Sequence, residues 1–94
     1  MKIFSLLFAA LLCLFSNAFA GNPEFEGNCT MHMALGKKQP TDCSIIWLAK
    51  DDKIYCFADQ AAKQKFLESP KENLQRAQAF WEDPENLKRL LRRE

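Results

Sequence analysis

The sequence predicts a small α+β fold, with an N-terminal cysteine knuckle, a β-hairpin and then two to three short α-helices. Three observations predict it. Between Cys43 and Ala58, two runs rich in β-branched and aromatic residues, "CSIIWLA" and "IYCFA", flank Lys50-Asp51-Asp52-Lys53, the pattern of two strands and a charged turn. After Asp59 the apolar residues recur at intervals of three and four, as in helices that bury one face. Pro70 and Pro84 each follow a capping residue, Ser69 or Asp83, and each precedes a glutamate within two residues, which is the chemistry of helix starts.

The first twenty residues are a processing signal rather than part of that fold. Lys2 supplies a positive charge, Ile3 to Phe15 is an apolar run broken only by Ser5, and Ala18-Phe19-Ala20 places cleavage after Ala20. A membrane anchor needs about 20 apolar residues, more than this run offers. A lipidated Cys13 is disfavoured because Leu11-Leu12 precede it and it lies within the apolar run. Residues 1–20 are therefore expected to be a signal peptide and residues 21–94 one mature domain, periplasmic or secreted, with no membrane association after cleavage.

A chain of that size rarely stabilises itself on a hydrophobic core alone, so a disulfide, a metal or a partner is expected. Three cysteines follow the signal, Cys29, Cys43 and Cys56, which allows one intramolecular bridge and one remaining thiol in an oxidising compartment. Loss of Lys2 balances the 13 basic residues against the 12 acidic ones. A neutral domain has no general attraction for nucleic acid. The basic end formed by Lys88, Arg89, Arg92 and Arg93 reads as a solvated helix terminus favoured by the helix dipole.

Element by element, residues 21 to 28 read as a short extended lead-in and Gly36 to Thr41 as a polar turn. If Asp51-Asp52 form a two-residue loop, Lys50 faces Lys53 and Trp47 faces Cys56. In that register Cys43 lies about 13 Å along its strand from Trp47, so a direct Cys43–Cys56 bridge is disfavoured. Asp59 caps a helix through "QAAKQKFLE" with Ala58, Ala62, Phe66 and Leu67 inward. Ser69, Pro70 and Glu72 form a capping box ahead of a helix presenting Leu74, Ala77, Phe80 and Trp81. A last helix from Asp83-Pro84-Glu85 directs Leu87, Leu90 and Leu91 inward.

The chemistry-bearing residues gather in "CTMHM", where Cys29, Met31 and Met33 accompany His32, the single histidine. Sulfur donors favour Cu(I), and imidazole suits copper and zinc. The same residues also alternate as a half-buried strand would, with Met31, Met33 and Leu35 on one side. Cys43 and Cys56 are candidate further thiolates, small buried side chains, or partners in a bridge to Cys29. Three thiolates plus His32 would make a closed zinc set, but no C-x-x-C pair is present. With one histidine, no glycine-rich phosphate loop and no carboxylate motif, enzyme activity is not expected.

The stretch "SIIWLAKDDKIYCFADQAAKQKFLESPKENLQRA", with Cys29-Thr30-Met31 before it, resembles the YHS domain family and the related TRASH-type heavy-metal modules. Cys29-Thr30-Met31 stands at the family's C-x-M knuckle, Tyr55-Cys56-Phe57 at its hairpin end, Phe66 at its helix end and Ser69-Pro70 at the next start. The family's helix cysteines fall on Ala58 and Ala62, so the chain resembles an exported subgroup without that pair. The resemblance implies soft-metal binding, with Cys29 and Met31 carried over directly and Cys56 as a displaced neighbour. The expected function is an exported Cu(I) buffer or chaperone, copper ahead of zinc, using Cys29, Met31, His32, Met33, Cys43 and Cys56. The alternative is a disulfide-stapled interaction module without metal that meets a periplasmic protein.

Overall fold

Ala49 and Lys53 close the hairpin, and the way they do so sets the register of the whole sheet. The computed structural model describes residues 21–93, so the expected signal peptide, residues 1–20, lies outside the described residues. Ala49 N–H donates to the Lys53 carbonyl at 2.9 Å and Asp52 N–H to the Ala49 carbonyl at 3.0 Å. The loop is therefore Lys50-Asp51-Asp52, with Asp52 at φ 66°. A three-residue loop ending in a left-handed residue is a common hairpin closure, and aspartate tolerates that conformation better than most side chains.

Strands β1, Ile45–Leu48, and β2, Ile54–Phe57, pair antiparallel with Ile45 opposite Phe57, Ile46 opposite Cys56, Trp47 opposite Tyr55 and Leu48 opposite Ile54. The two-residue loop expected from sequence is thus corrected to three residues. The shift takes Cys56 off the face that carries Trp47, because side chains alternate strictly along a strand.

The lead-in is not extended. Glu24–Gly27 forms a single 3-10-like turn in which Phe25, Glu26 and Gly27 all have positive φ, 56°, 54° and 81°. That left-handed turn drives Phe25 into the core, where its ring meets Tyr55 at 6.0 Å and Trp81 at 5.8 Å between centroids. A short helix follows, α1 over Thr30–Ala34, in place of the alternating strand. Gly36 at φ 83° ends it: Gly36 N–H donates to the Met33 carbonyl and Lys37 N–H to the His32 carbonyl, satisfying the last turn.

The three expected helices after the hairpin are α2, Gln60–Glu68, α3, Pro70–Glu82, and α4, Pro84–Arg92. Asp59 caps α2 by accepting from Ala62 N–H at 2.8 Å, and Asp83 caps α4 by accepting from Glu85 N–H at 3.0 Å. The capping box on α3 does not form, since the Ser69 side chain makes no cap hydrogen bond. The buried Asn73 secures that junction instead, donating to the Phe66 carbonyl at 3.0 Å. Ala58, Leu67 and Leu91 lie exposed rather than inward. Leu67 sits next to the buried Phe66, and Leu91 lies four residues past Leu87, the residue that anchors α4.

The core is a chain of rings. Trp47 packs on Tyr55 at 5.7 Å and on Phe66 at 5.3 Å, and Phe57 meets Phe66 at 5.3 Å. Aromatic pairs at such separations contribute about 0.5–1.5 kcal/mol each beyond their buried area. Cys29, Met31, Met33, Ala34 and Ala77 fill the space around them.

Candidate functional site

Cys43 and Cys56 are joined by a disulfide, with Cα atoms 4.9 Å apart. This overturns the expectation that the pair lies too far apart to bridge. The expected separation assumed an extended strand down to Cys43, whereas β1 begins at Ile45 and Cys43 itself takes a left-handed conformation, φ 56°, that turns the chain back. Local polar chemistry builds the bend. Cys43 N–H donates to the Thr41 hydroxyl at 3.1 Å, and that hydroxyl donates to the Gly27 carbonyl at 2.7 Å. Ser44 N–H donates to the Asp42 carboxylate at 3.0 Å. Hydrogen bonds from the Ser44 side chain and backbone hold that carboxyl below its ordinary pKa.

Cys29 is the free cysteine among the described residues and is fully buried. It does not reach Cys43 or Cys56 covalently, but its backbone forms a single parallel bridge to Cys56. Its N–H donates to the Gln39 carbonyl at 2.7 Å. The knuckle is thus held against the outer edge of β2 by main-chain bonds.

The six sulfur and imidazole residues do not converge on one point. Cys43 and Cys56 spend their sulfurs on each other, which removes both as thiolate ligands in this form. Met31 and Met33, two positions apart on α1, sit roughly 160° apart around its axis at 100° per residue. Met31 helps line a hollow with Leu35, Lys65, Glu68 and Asn73, while Met33 is sealed in the core. The residues that share one face are Cys29, His32 and Met33, at i, i+3 and i+4. His32 Nδ1 and Thr30 Oγ1 are buried and have no hydrogen-bond partner among the described residues. No group of three or more His, Cys, Asp or Glu side chains is placed to hold a metal ion among the described residues.

A second site lies at the turn end of the hairpin. Trp47, Ala49 and Tyr55 from the hairpin and Pro70 and Leu74 from α3 wall an open groove of about 560 Å³, with Lys50 and Lys71 at its rim. Trp47 and Leu74 are each only partly buried along it. Asp51 also borders it, paired with Lys53 at 3.9 Å, whereas Lys50 and Lys71 make no ion pair among the described residues. Burial first, then the negative charges of Asp51 and Glu24, push the Tyr55 phenol above its usual pKa. Sequence reading missed this site, since Trp47 and Tyr55 present themselves only as strand residues. No local sequence signal marks it, because its walls come from two segments far apart in the chain.

Comparison with known protein families, with characterised proteins and with solved structures finds no match to this chain. The described residues contain a disulfide, and no helix among them is long and apolar enough to cross a membrane.

Proposed function

We propose that the chain is an exported, disulfide-stapled interaction module that docks a partner protein in the groove between the hairpin tip and α3. The observation that carries this reading is the groove itself: an aromatic and aliphatic floor, Trp47, Tyr55 and Leu74, beneath Lys50 and Lys71, two cations that make no ion pair among the described residues. Concave, mainly apolar surfaces with a few placed polar groups are where proteins bind ligands and anchor residues. The lysines favour a segment that carries a carboxylate beside a large apolar side chain. The disulfide supports an oxidising compartment, in keeping with the signal sequence.

A photo-crosslinking residue at Lys71, compared with one at Lys88 on α4, tests the docking face in the producing cell. A discrete covalent adduct from position 71 that is lost in a Trp47→Ala background supports the groove. Equal adducts at both positions, or none at position 71, reject it.

A second reading keeps the soft metal. It rests on the buried, unpartnered His32 Nδ1, which shares a helix face with Cys29 and Met33, and on the resemblance to the YHS family. On this reading Cys29, His32 and Met33 hold Cu(I), while Met31, Cys43 and Cys56 take no part. Titration of the oxidised protein with Cu(I) against a competing chelator separates the two. One-to-one uptake abolished by Met33→Leu, with Met31→Leu unaffected, supports the metal site.

A further inference from the structure

We infer that the Cys43–Cys56 disulfide is exchangeable within the fold, and that the buried Cys29 thiol can take over Cys56 and release Cys43 as a free thiol. Three independent features meet at this point. The first is adjacency: Cys29 and Cys56 are direct partners in a parallel bridge. Bridge partners lie about 5 Å apart, inside the range of about 4.4–6.8 Å between Cα atoms that a disulfide spans. The Cα separation of either pairing therefore falls within the range a disulfide spans.

The second feature is strain at the residue that would be released. Cys43 has φ 56°, a left-handed conformation that costs a non-glycine residue free energy and persists only where its surroundings hold it. The bond to Cys56 is part of what holds it. Release lets the Asp42-Cys43-Ser44 bend relax, whereas Cys29, at φ −63° and ψ 118°, is in an ordinary extended conformation and carries no such strain.

The third feature is a donor waiting at the leaving sulfur. Thr41 Oγ1 lies 3.6 Å from Cys43 Sγ while its proton is committed to the Gly27 carbonyl at 2.7 Å. As charge develops on Cys43 Sγ, that hydroxyl can turn and donate to it. Cys43 is also partly exposed, whereas Cys29 and Cys56 are fully buried, so exchange moves the reactive sulfur from the core to the surface.

The step balances without any external oxidant or reductant. The Cys29 thiolate attacks Cys56 Sγ, a Cys29–Cys56 bond forms and the Cys43–Cys56 bond breaks. The electron pair departs on Cys43 Sγ, which takes up the proton that Cys29 gave up. Among Cys29, Cys43 and Cys56, one disulfide and one thiol are present before and after. The released Cys43 thiol, beside Thr41 and Gly27, is then able to form a mixed disulfide with an exposed cysteine of another protein. This inference is independent of the groove, and a Cys29 engaged with Cys56 is not available to hold a metal.

The test is peptide mapping of the full chain, recovered without reductant and incubated in its native state with a small alkylating reagent. Time-dependent labelling of Cys43, accompanied by a Cys29–Cys56 linked peptide, is the expected result. Labelling confined to Cys29, with the Cys43–Cys56 bond intact, overturns the inference. In a Cys29→Ser variant Cys43 labelling should vanish, and persistence of that labelling also overturns it. Thr41→Val, which leaves Cys29, Cys43 and Cys56 in place, should slow Cys43 labelling several-fold; an unchanged rate removes the hydroxyl from the mechanism and counts against it.

Discussion

Trp47 and Tyr55 face one another across the hairpin, their ring centroids 5.7 Å apart and their planes tilted by 30°. Phe66 closes on Trp47 from α2 and Phe25 closes on Tyr55 from the N-terminal turn. This pair therefore joins the sheet to the N-terminal turn and to α2, and it also forms the floor of the groove. Trp47→Ala should cost on the order of 3 kcal/mol, since it removes two ring contacts and opens a cavity beside Phe66. Chemical denaturation of the oxidised protein measures it, and a loss below about 1 kcal/mol would show that Trp47 serves the groove and not the core.

Reducing the Cys43–Cys56 bond frees a loop with a sequence separation of 13. For a loop of this size the expected loss is about 3 kcal/mol. Thermal melts with and without reductant should differ accordingly, and a Cys43→Ser, Cys56→Ser double variant should melt with the reduced protein. Coincident melting curves would mean that the bridge adds nothing to the fold.

Gly27 adopts φ 81°, and a Cβ built there would lie 3.2 Å from Cys43 Sγ. Gly27→Ala is expected to destabilise the oxidised protein by about 1–3 kcal/mol through left-handed strain alone, with the sulfur contact adding to it. The comparison is with the reduced form of the same variant, in which the sulfur can move away and the penalty should be smaller. An equal penalty in both forms would rule out the contact as a cause.

Asn73 donates from a buried position to the Phe66 carbonyl at the end of α2, in the place where the expected serine cap does not form. Asn73→Leu removes that bond and leaves the Phe66 carbonyl with only the Ser69 N–H, at 3.2 Å, so it should cost about 0.5–1.5 kcal/mol. Ser69→Ala should cost much less, because the Ser69 side chain makes no cap hydrogen bond. The reverse order in urea midpoints would contradict the observed geometry.

Tyr55 is the single tyrosine, so its ionisation can be followed alone by absorbance. Burial, together with Asp51 and Glu24, raises its pKa above the ordinary value of 10.0. The folded state thus disfavours the phenolate, while the unfolded chain releases the proton near pH 10. Stability from this source is full below pH 10 and falls as pH rises from there through the folded pKa. Wild type should lose stability above pH 10 more steeply than Tyr55→Phe; parallel curves would place the phenol in ordinary solvent.

Periodicity carried the helices and composition carried the hairpin, so the α+β architecture was legible in the chain. Asp59 and Asp83 were legible as caps because a short acceptor ahead of a helical run has one main use. The register was not, because Asp52 can enter the left-handed region and lengthen the loop by one residue without any glycine to announce it. That single residue misplaced Cys56 and, with the left-handed Cys43, concealed the disulfide. The same limit applied at the knuckle. "CTMHM" fits a strand or a helix equally well by alternation, and the choice of α1 is what parts Met31 from Met33. Phe25 was hidden for a related reason, since consecutive positive φ at Phe25 and Glu26 follow no local preference and are imposed by tertiary packing.

The covalent bridge brackets the hairpin tip, with Lys50 and Lys53 both lying between Cys43 and Cys56. A trypsin-like protease that cuts at this exposed tip will therefore yield two fragments that migrate as one band on a non-reducing gel and separate only after thiol treatment. Clipping at the most accessible part of the sheet leaves the molecule in one piece for as long as its surroundings stay oxidising.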